Sequence, residues 1–178
     1  MIQGMNGQGK STLAKLLLGQ LEPTHGDVRR HANSAAYFHQ DALLDLVQKY
    51  GKVSPVAFLR GKDVHLSDTE ARSYLGRFGL KGNLSLRPIR TLSAGQRVGL
   101  WLSREFYSSK KDYRKPSLLL LDEVTENLDH ETTDSLLESL SGFSAALVAI
   151  SHDDYFCQRF QATQVWHVAQ HRVFVQFQ

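Results

Sequence analysis

The chain has 178 residues, 42% of them hydrophobic and 22% charged, which suffices for one domain with a buried core and is typical of a soluble globular protein. Its 21 lysines and arginines against 18 acids leave a net charge of +3, which does not by itself indicate a nucleic-acid-binding protein. A single cysteine, Cys157, excludes an internal disulfide, and apolar runs such as residues 118–121 are too short to span a membrane.

In chain order, the hydrophobic pattern predicts an α/β fold with a mainly parallel core sheet, within one domain of residues 1–178. Leucines at helical spacing predict a first helix over residues 10–20, which ends before Pro23 and Gly26. The other predicted helices span residues 42–49, 67–79, 93–107 and 131–141. The predicted extended segments span residues 27–30, 35–39, 117–122 and 145–150, followed by a hairpin of 165–169 and 172–177. Residues 41–116 would then form a helical subdomain inserted into the sheet-forming part.

Two serines indicate where predicted helices begin. Ser67 is followed three residues later by Glu70, which is the spacing of a capping box. Ser93 stands at the start of the helix predicted over residues 93–107 and can cap its first turn.

Residues 4–11 read Gly-Met-Asn-Gly-Gln-Gly-Lys-Ser and match the phosphate-binding pattern G-x-x-x-x-G-K-[ST]. The glycines let successive backbone N–H groups converge on phosphate oxygens, and the following helix adds its positive N-terminal end. Lys10 would reach the β- and γ-phosphates, and Ser11 would bind Mg²⁺. A glycine-rich turn before an amphipathic helix is the alternative interpretation. The predicted nucleotide contacts in this loop are Gly4, Met5, Asn6, Gly7, Gln8, Gly9, Lys10, Ser11 and Thr12.

A second motif consists of four leucines, residues 118–121, followed by Asp122 and Glu123. Open α/β sheets place their chemistry at the carboxyl ends of buried strands. Downstream of a phosphate-binding loop, we expect Asp122 to hold Mg²⁺ through water and Glu123 to polarise the attacking water. Without that loop, the same acids would more simply be a solvated strand end.

A third motif, Leu92-Ser93-Ala94-Gly95-Gln96, opens a predicted helix. Small residues there allow a close backbone approach, and a helix N-terminus favours an anion, although alone the motif would indicate only a helix cap. Placed between the phosphate-binding loop and the two acids, it resembles the LSGGQ signature of the ATP-binding-cassette (ABC) superfamily. The resemblance implies that Ser93, Gly95 and Gln96 contact nucleotide.

Three further positions fit the same resemblance. Gln40, at the end of Tyr37-Phe38-His39-Gln40, resembles the Q-loop glutamine that joins the Mg²⁺ shell. Residues 127–129 resemble the end of the D-loop, and His152 resembles the switch histidine that contacts the γ-phosphate. The resemblance thus implies catalytic roles for Glu123 and His152, and a metal site formed by Ser11, Gln40 and Asp122.

Several short sequence segments are similar to those of one branch of the superfamily, the ABC-F family. They are YFHQD from residue 37, RSYLGRFGL from residue 72, RPIRTLS from residue 87 and ISHDDYF from residue 150. ABC-F proteins are soluble cassettes without membrane domains that act in translation on the ribosome. The resemblance implies a cytoplasmic ATPase with ATP and Mg²⁺ as cofactors, a second cassette as its head-to-tail partner, and the ribosome or its rRNA as a further partner.

The chain also departs from the family pattern. Ala94 replaces the middle glycine of the signature, Gly99 and Asp154 stand where arginines are common, and the family favours Pro, Asn and His at positions 124, 126 and 127. These departures concern the contacts made across a cassette pair. A complete cassette also has strands before the phosphate-binding loop, one of which usually supplies an aromatic residue for adenine. Since three residues precede Gly4, we expect these N-terminal strands to be missing and the sheet to expose unpaired edges.

A basic cluster surrounds Tyr113 and consists of Lys110, Lys111, Arg114 and Lys115. It is either a solvated charged loop or a contact with rRNA phosphates, and residues 29–31 are a weaker example of the same pattern. Two other functions stay open at this point. One is the ATPase subunit of an ABC transporter, and the other is a nucleotide-binding module with little or no turnover.

Overall fold

The computed structural model contains both strands and helices and describes residues 1–30, 35–39, 41–107, 116–125 and 128–177. The strands are Ile2–Gln3 (β1), Ala35–Phe38 (β2), Leu118–Asp122 (β3), Ala146–Ile150 (β4), Gln164–Ala169 (β5) and Arg172–Phe177 (β6). The α-helices are Lys10–Leu18 (α1), Ala42–Tyr50 (α2), Pro55–Arg60 (α3), Asp68–Gly76 (α4), Ala94–Phe106 (α5), His130–Ser141 (α6) and Asp154–Arg159 (α7). No helix among these described ranges is long and apolar enough to cross a membrane.

Within the described residues, the strands form one sheet in the order β2–β3–β4–β1–β5–β6. All neighbours are parallel except β5 and β6, which form the closing antiparallel hairpin. Strand β3 lies between β2 and β4, with Phe38 opposite Leu121 and Asp122 opposite Ile150. The prediction of an α/β fold with a mostly parallel sheet is therefore confirmed, and the carboxyl ends of β2, β3 and β4 lie side by side.

The chain divides into two compact units, and the sheet belongs to the first, which comprises Met1–Gln40, Pro116–Asn127 and Ser144–Gln178. Helix α1 packs on this sheet, where Ala14 and Leu120 are fully buried in one apolar cluster with the partly buried Leu17. The four leucines of β3 alternate between the two faces of the sheet, and three of them are completely inaccessible to solvent.

The second unit comprises Asp41–Lys115 and Leu128–Phe143, and it contains helices α2 to α6 with short 3₁₀ turns at Gly82–Ser85 and Ile89–Thr91. Its core is an apolar cluster that includes Leu59, Leu75 and Leu100, each with no exposed surface. The boundaries of a helical subdomain at residues 41 and 116 stay a prediction.

The predicted helix starts at Ser67 and Ser93 are confirmed as complete capping boxes. Helices α3 and α7 have six residues each and were not predicted. The start of α3 carries a usable signal, since Ser54 accepts a hydrogen bond from Ala57 N–H and Pro55 occupies the first helical position. Both helices are too short for a hydrophobic period to become visible.

The extended segment expected over residues 27–30 does not join the sheet. The Arg30 guanidinium instead donates to the carbonyl oxygens of Leu16, at 3.0 and 3.1 Å, and of Leu21, at 3.3 Å. Arg30 thereby adds a charged donor to the Leu16 carbonyl in the last turn of α1, and to the Leu21 carbonyl just beyond the helix. Arg30 is therefore engaged by its own unit, which weakens the rRNA interpretation of residues 29–31; His31 and residues 110–115 lie outside the described residues.

The predicted hairpin turn at Gln170 and His171 is confirmed, and both residues adopt left-handed backbone angles, with φ of 50° and 59°. Beyond this turn, β6 forms an edge of the sheet, and its side chains are exposed. Phe174 is 55% and Phe177 is 74% exposed. The two-residue strand β1 precedes the phosphate-binding loop and pairs with β4 and β5. The expected absence of further N-terminal strands stays a prediction.

Gly99 has a steric reason to be glycine. A Cβ atom placed on it would lie 2.5 Å from the carbonyl oxygen of Phe78, which belongs to the turn after α4. Real Cβ atoms do not approach backbone this closely, so any side chain at position 99 would push α5 away from that turn.

We predict that Gly99→Ala lowers the free energy of unfolding by about 1–3 kcal/mol, the usual cost of overpacking. Helix propensity alone predicts the opposite sign, a gain of about 1 kcal/mol. The matched control is Gly142→Ala, because a Cβ at Gly142 meets no atom within 4 Å. Urea unfolding of the three chains measures both changes, and a Gly99→Ala chain more stable than its parent would contradict the steric argument.

Candidate functional site

The phosphate-binding loop connects β1 to α1 and is held closely against β5. Gly4 has a φ of 153°, and a Cβ on it would overlap the carbonyl oxygen of Val168, so this position requires glycine. Helix α1 then begins at Lys10, and the first N–H groups of a helix lack intrahelical partners. The loop therefore presents the N-terminus of α1 at the carboxyl edge of the sheet.

The ammonium group of Lys10 lies within this loop, and the residue is only 8% exposed. Its Nζ atom donates to the carbonyl oxygen of Gly4 at 2.8 Å, to that of Met5 at 3.3 Å and to Oδ1 of Asn6 at 3.4 Å. A buried charge needs such partners. They fix a positive charge beside the N-terminus of α1.

At the end of β3, two acids meet the segment that follows β4. Asp122 is 9% exposed, and its Oδ2 atom accepts a 2.7 Å hydrogen bond from the hydroxyl of Tyr37 on β2. Glu123 has a left-handed backbone with φ of 51°, and its N–H donates to the carbonyl oxygen of Ile150. Its Oε2 atom lies 2.9 Å from Nδ1 of His152. Strained backbone of this kind is maintained by its surroundings and is frequent at functional sites.

Two hydroxyl groups join the same pair of loops behind these side chains. Thr125 Oγ1 and Ser151 Oγ are 3.3 Å apart, and both residues are 3% exposed. Ser151 Oγ also accepts a hydrogen bond from Asp153 N–H. The Thr125–Ser151 contact thus joins the segments after β3 and β4 in addition to the Glu123–His152 contact.

These groups surround one cleft of about 460 Å³ in the first unit, a volume within the usual range for ligand sites. It is lined by Asn6, Gly7, Gly9, Lys10, Ser11, Thr12, Asp122, Glu123 and His152. Three residues of the predicted loop do not line it, namely Gly4, Met5 and Gln8. Met5 is 79% exposed, and Gln8 accepts a 2.8 Å hydrogen bond from Gln170 N–H at the hairpin turn. Gln40 and Asn127 lie outside the described residues.

The signature residues lie in the second unit and line a different cleft of about 760 Å³. The Ser93 hydroxyl accepts from Gln96 N–H, and the Gln96 side chain accepts from Ser93 N–H, so the pair caps α5. Gly95 and Asp129 line the same cleft. Asp129 caps α6, and hydrogen bonds from the side chain and backbone of Thr132 hold the pKa of its carboxyl below its usual range.

Sequence reasoning missed Tyr37, Thr125 and Ser151. Alternation along β2 places Tyr37 on the same face as Leu120, which is directly opposite it in the sheet. That pairing cannot be read from the sequence, because the two strands are separated by the whole helical segment. A buried Thr and Ser carry no motif either.

A family model described as "ABC transporter" matches residues 1–126. The chain belongs to this family. It carries the ABC-type ATPase domain, as the phosphate-binding loop, the acids after β3 and the signature predicted.

Curated relatives of this ABC ATPase domain are members of sub-family F, which confirms the resemblance to ABC-F proteins. ATP-binding cassette sub-family F member 3 of Mus musculus is 37% identical over 168 residues, covering 93% of this chain and 22% of the relative. Sub-family F member 2 of Bos taurus is 35% identical over 170 residues, covering 92% of this chain and 25% of the relative. The chain thus spans about a fifth to a quarter of the length of these relatives.

Solved structures share the fold. The ATP-binding cassette of an ABC transporter in its ADP conformation has a TM-score of 0.74 at 15% identity, covering 99% of this chain and 79% of that one. A dimeric ATP-binding cassette bound to ADP and Pi, in a post-hydrolysis state, has a TM-score of 0.68 at 17% identity, and the match covers 99% of this chain and 83% of that one. At these identities, the likeness establishes the ABC cassette fold.

We predict that Gln8→Ala weakens ATP binding by the ABC ATPase domain roughly two- to tenfold, the equivalent of one net hydrogen bond of about 0.5–1.5 kcal/mol. The reason is that the loop loses its tie to the hairpin turn at Gln170 N–H. Titration calorimetry measures the affinity. Gln170→Asn is the control, since it keeps the backbone donor and suits a left-handed backbone. An equal loss of ATP affinity in both variants would contradict a role for this hydrogen bond.

Proposed function

We propose that this ABC ATPase domain binds Mg²⁺-ATP in the cleft of its first unit and hydrolyses it when a second cassette is paired with it head to tail. The observation that supports the proposal is that Lys10, Asp122, Glu123 and His152 line one cleft at the N-terminus of α1. A fixed cation and a helix N-terminus favour phosphates, and adjacent acids can serve a metal ion and a water molecule.

In this proposal, Lys10 and the first turn of α1 bind the β- and γ-phosphates. Lys10 exchanges its loop acceptors for phosphate oxygens, since two of its three Nζ contacts are long, at 3.3 and 3.4 Å, and phosphate oxygens carry full negative charge. Asn6, Gly7 and Gly9 contribute the remaining rim of the cleft. Such positioning and charge stabilisation supply most of the catalysis in phosphoryl transfer.

The residues present fit Mg²⁺. Within the described residues, no three His, Cys, Asp or Glu side chains are grouped so that they alone could hold a metal ion. Mg²⁺ is usually bound by one or two carboxylates together with substrate phosphates and water, and Ser11 and Asp122 offer oxygens in the same cleft. Gln40 completes the proposed metal site. The bound ion would neutralise charge on the β- and γ-phosphates.

Glu123 and His152 are the proposed catalytic residues. The Glu123 carboxylate can accept a proton from the attacking water, and its Oε2 atom is held 2.9 Å from His152 Nδ1. The His152 side chain is 65% exposed, whereas that of Glu123 is 18% exposed. The imidazole can thus orient the carboxylate while its other nitrogen remains available to the γ-phosphate.

In the proposed head-to-tail pair, Ser93, Gly95 and Gln96 of one cassette would complete the nucleotide site of the other. These residues stand at the N-terminus of α5, which suits an anion, and line a cleft of their own unit. The solved dimeric cassette bound to ADP and Pi supports pairing as a property of this fold. We propose the same for this chain, with a second copy or another cassette of a longer chain as the partner.

The output proposed for ATP turnover is nucleotide-gated action on the ribosome in the cytoplasm. Its support is the identity to sub-family F members of 35–37% over more than nine-tenths of the chain. The basic residues at 110, 111, 114 and 115 are proposed to contact rRNA phosphates. The second candidate is a transporter ATPase subunit, which the fold shared with transporter cassettes supports.

We predict that Glu123→Gln in the full chain keeps ATP affinity but slows hydrolysis by about 10²–10⁴-fold, because the amide cannot accept the proton of water. Phosphate release and titration calorimetry measure the two quantities. Lys10→Ala is the contrasting variant, since loss of the cation among the phosphates should abolish binding itself. Unchanged phosphate release in Glu123→Gln would show that another group acts as the general base. Unchanged ATP binding in Lys10→Ala would contradict the binding of nucleotide in this cleft.

We also predict that Glu123→Gln sediments with ribosomes when ATP is present, because bound ATP keeps the cassette pair closed. The control is the double variant Lys10→Ala with Glu123→Gln, which should remain in the supernatant. Sucrose-gradient centrifugation of a cell extract measures the distribution. Retention with a membrane fraction, and none with ribosomes, would instead support the transporter function.

A further inference from the structure

Tyr37 makes a side-chain contact that none of the motifs explains. It lies on β2, directly opposite Leu120 of β3, and alternation places Asp122 two residues further along on the same face. Its hydroxyl reaches diagonally to Oδ2 of Asp122 at 2.7 Å, which is a short, well-formed hydrogen bond. The contact depends on the parallel register of β2 and β3.

Asp122 needs such a donor. The residue is 9% exposed, and a carboxylate removed from water is costly unless hydrogen bonds replace its hydration. Hydrogen bonds to charged groups are also stronger than neutral ones. The Tyr37 hydroxyl is the donor in this contact, because an ionised carboxylate can only accept hydrogen bonds.

The ring of Tyr37 is itself held in place. It packs with the apolar cluster that includes Leu120 and Ala14, and its centroid lies 5.7 Å from that of His39. The hydroxyl is therefore carried by a side chain whose position the packing defines. A donor on such a side chain can fix the rotation of the carboxylate that it contacts.

We infer that Tyr37 is a positioning residue for Asp122: by holding Oδ2, it orients the carboxylate so that its other oxygen serves the hydration shell of Mg²⁺. This inference rests on the proposed function. Tyr37 touches neither nucleotide nor metal in this role and acts through Asp122 alone. Partners of this kind commonly alter metal affinity by 10–100-fold when they are removed.

The test compares the parent, Tyr37→Phe and a matched control in the full chain. ATP affinity is measured by titration calorimetry over a series of Mg²⁺ concentrations and in EDTA. Tyr37→Phe keeps the ring and removes the hydroxyl. In EDTA, we therefore expect the variant to bind ATP with the affinity of the parent. With Mg²⁺, we expect the variant to need a roughly tenfold higher Mg²⁺ concentration than the parent to reach half of the Mg²⁺-dependent gain in ATP affinity. Tyr107→Phe is the control, because it removes a similar Tyr–Asp hydrogen bond, 3.1 Å to Asp63, within the second unit. It should match the parent in both conditions.

A double-mutant cycle identifies the route of the effect. If Tyr37 acts through Asp122, then Tyr37→Phe should change the Mg²⁺ dependence little further in an Asp122→Asn chain. If Tyr37→Phe changed the Mg²⁺ dependence as much in that background as in the parent, the inference would be overturned. An equal loss of ATP affinity in EDTA and in Mg²⁺, or failure of Tyr37→Phe to fold in thermal melting, would also overturn it, since either indicates a purely structural role.

The outcomes also separate this inference from the proposed function. If the parent shows no Mg²⁺-dependent gain in ATP affinity, the Mg²⁺-ATP function of the cleft fails, and the inference fails with it. If the parent shows the gain and Tyr37→Phe reproduces the parental Mg²⁺ dependence, the proposed function stands and the inference is overturned.

Discussion

Parallel pairing of β3 with β2 on one side and β4 on the other is the constraint on which the site depends. With Phe38 opposite Leu121 and Asp122 opposite Ile150, three carboxyl ends terminate at the same edge. A shift of one residue in either pairing would turn Asp122 to the opposite face or separate Glu123 from His152. The completely buried leucines of β3 oppose such a shift, because any other register would expose part of this apolar surface.

Helix α1 adds electrostatics to this alignment. Its N-terminus opens on the cleft, where Lys10 is already surrounded by loop oxygens, and its C-terminal carbonyls receive the Arg30 guanidinium. The negative C-terminal end of the helix dipole thus meets a complementary cation, whereas the positive N-terminal end opens on the cleft with Lys10 and favours an anion there. The 460 Å³ cleft combines this dipole with acids from the neighbouring strand ends, and that combination distinguishes it from a simple glycine-rich turn.

Much of this could be predicted from the sequence, because spacing carries the information. The pattern at residues 4–11, the acids at 122 and 123 and the hairpin at 170 and 171 are local signals, and the structure has the corresponding loop, strand end and turn. The contact of Tyr37 could not be predicted, since it joins two residues that are 85 positions apart in the sequence. Helices α3 and α7 were missed because six residues show no period, and the Arg30 contact was missed because residues 27–30 looked extended.

The close approach of α5 to the turn after α4 bears on how this sequence could change over time. The position of Gly99 leaves no room for a side chain, because even a methyl group there would lie 2.5 Å from the Phe78 carbonyl oxygen. Replacement of Gly99 by any larger residue would meet a steric barrier unless the turn at Phe78 had moved first. Changes at Gly99 and at the Phe78 turn are therefore expected to be coupled, and glycine is the residue that the present course of this backbone allows at position 99.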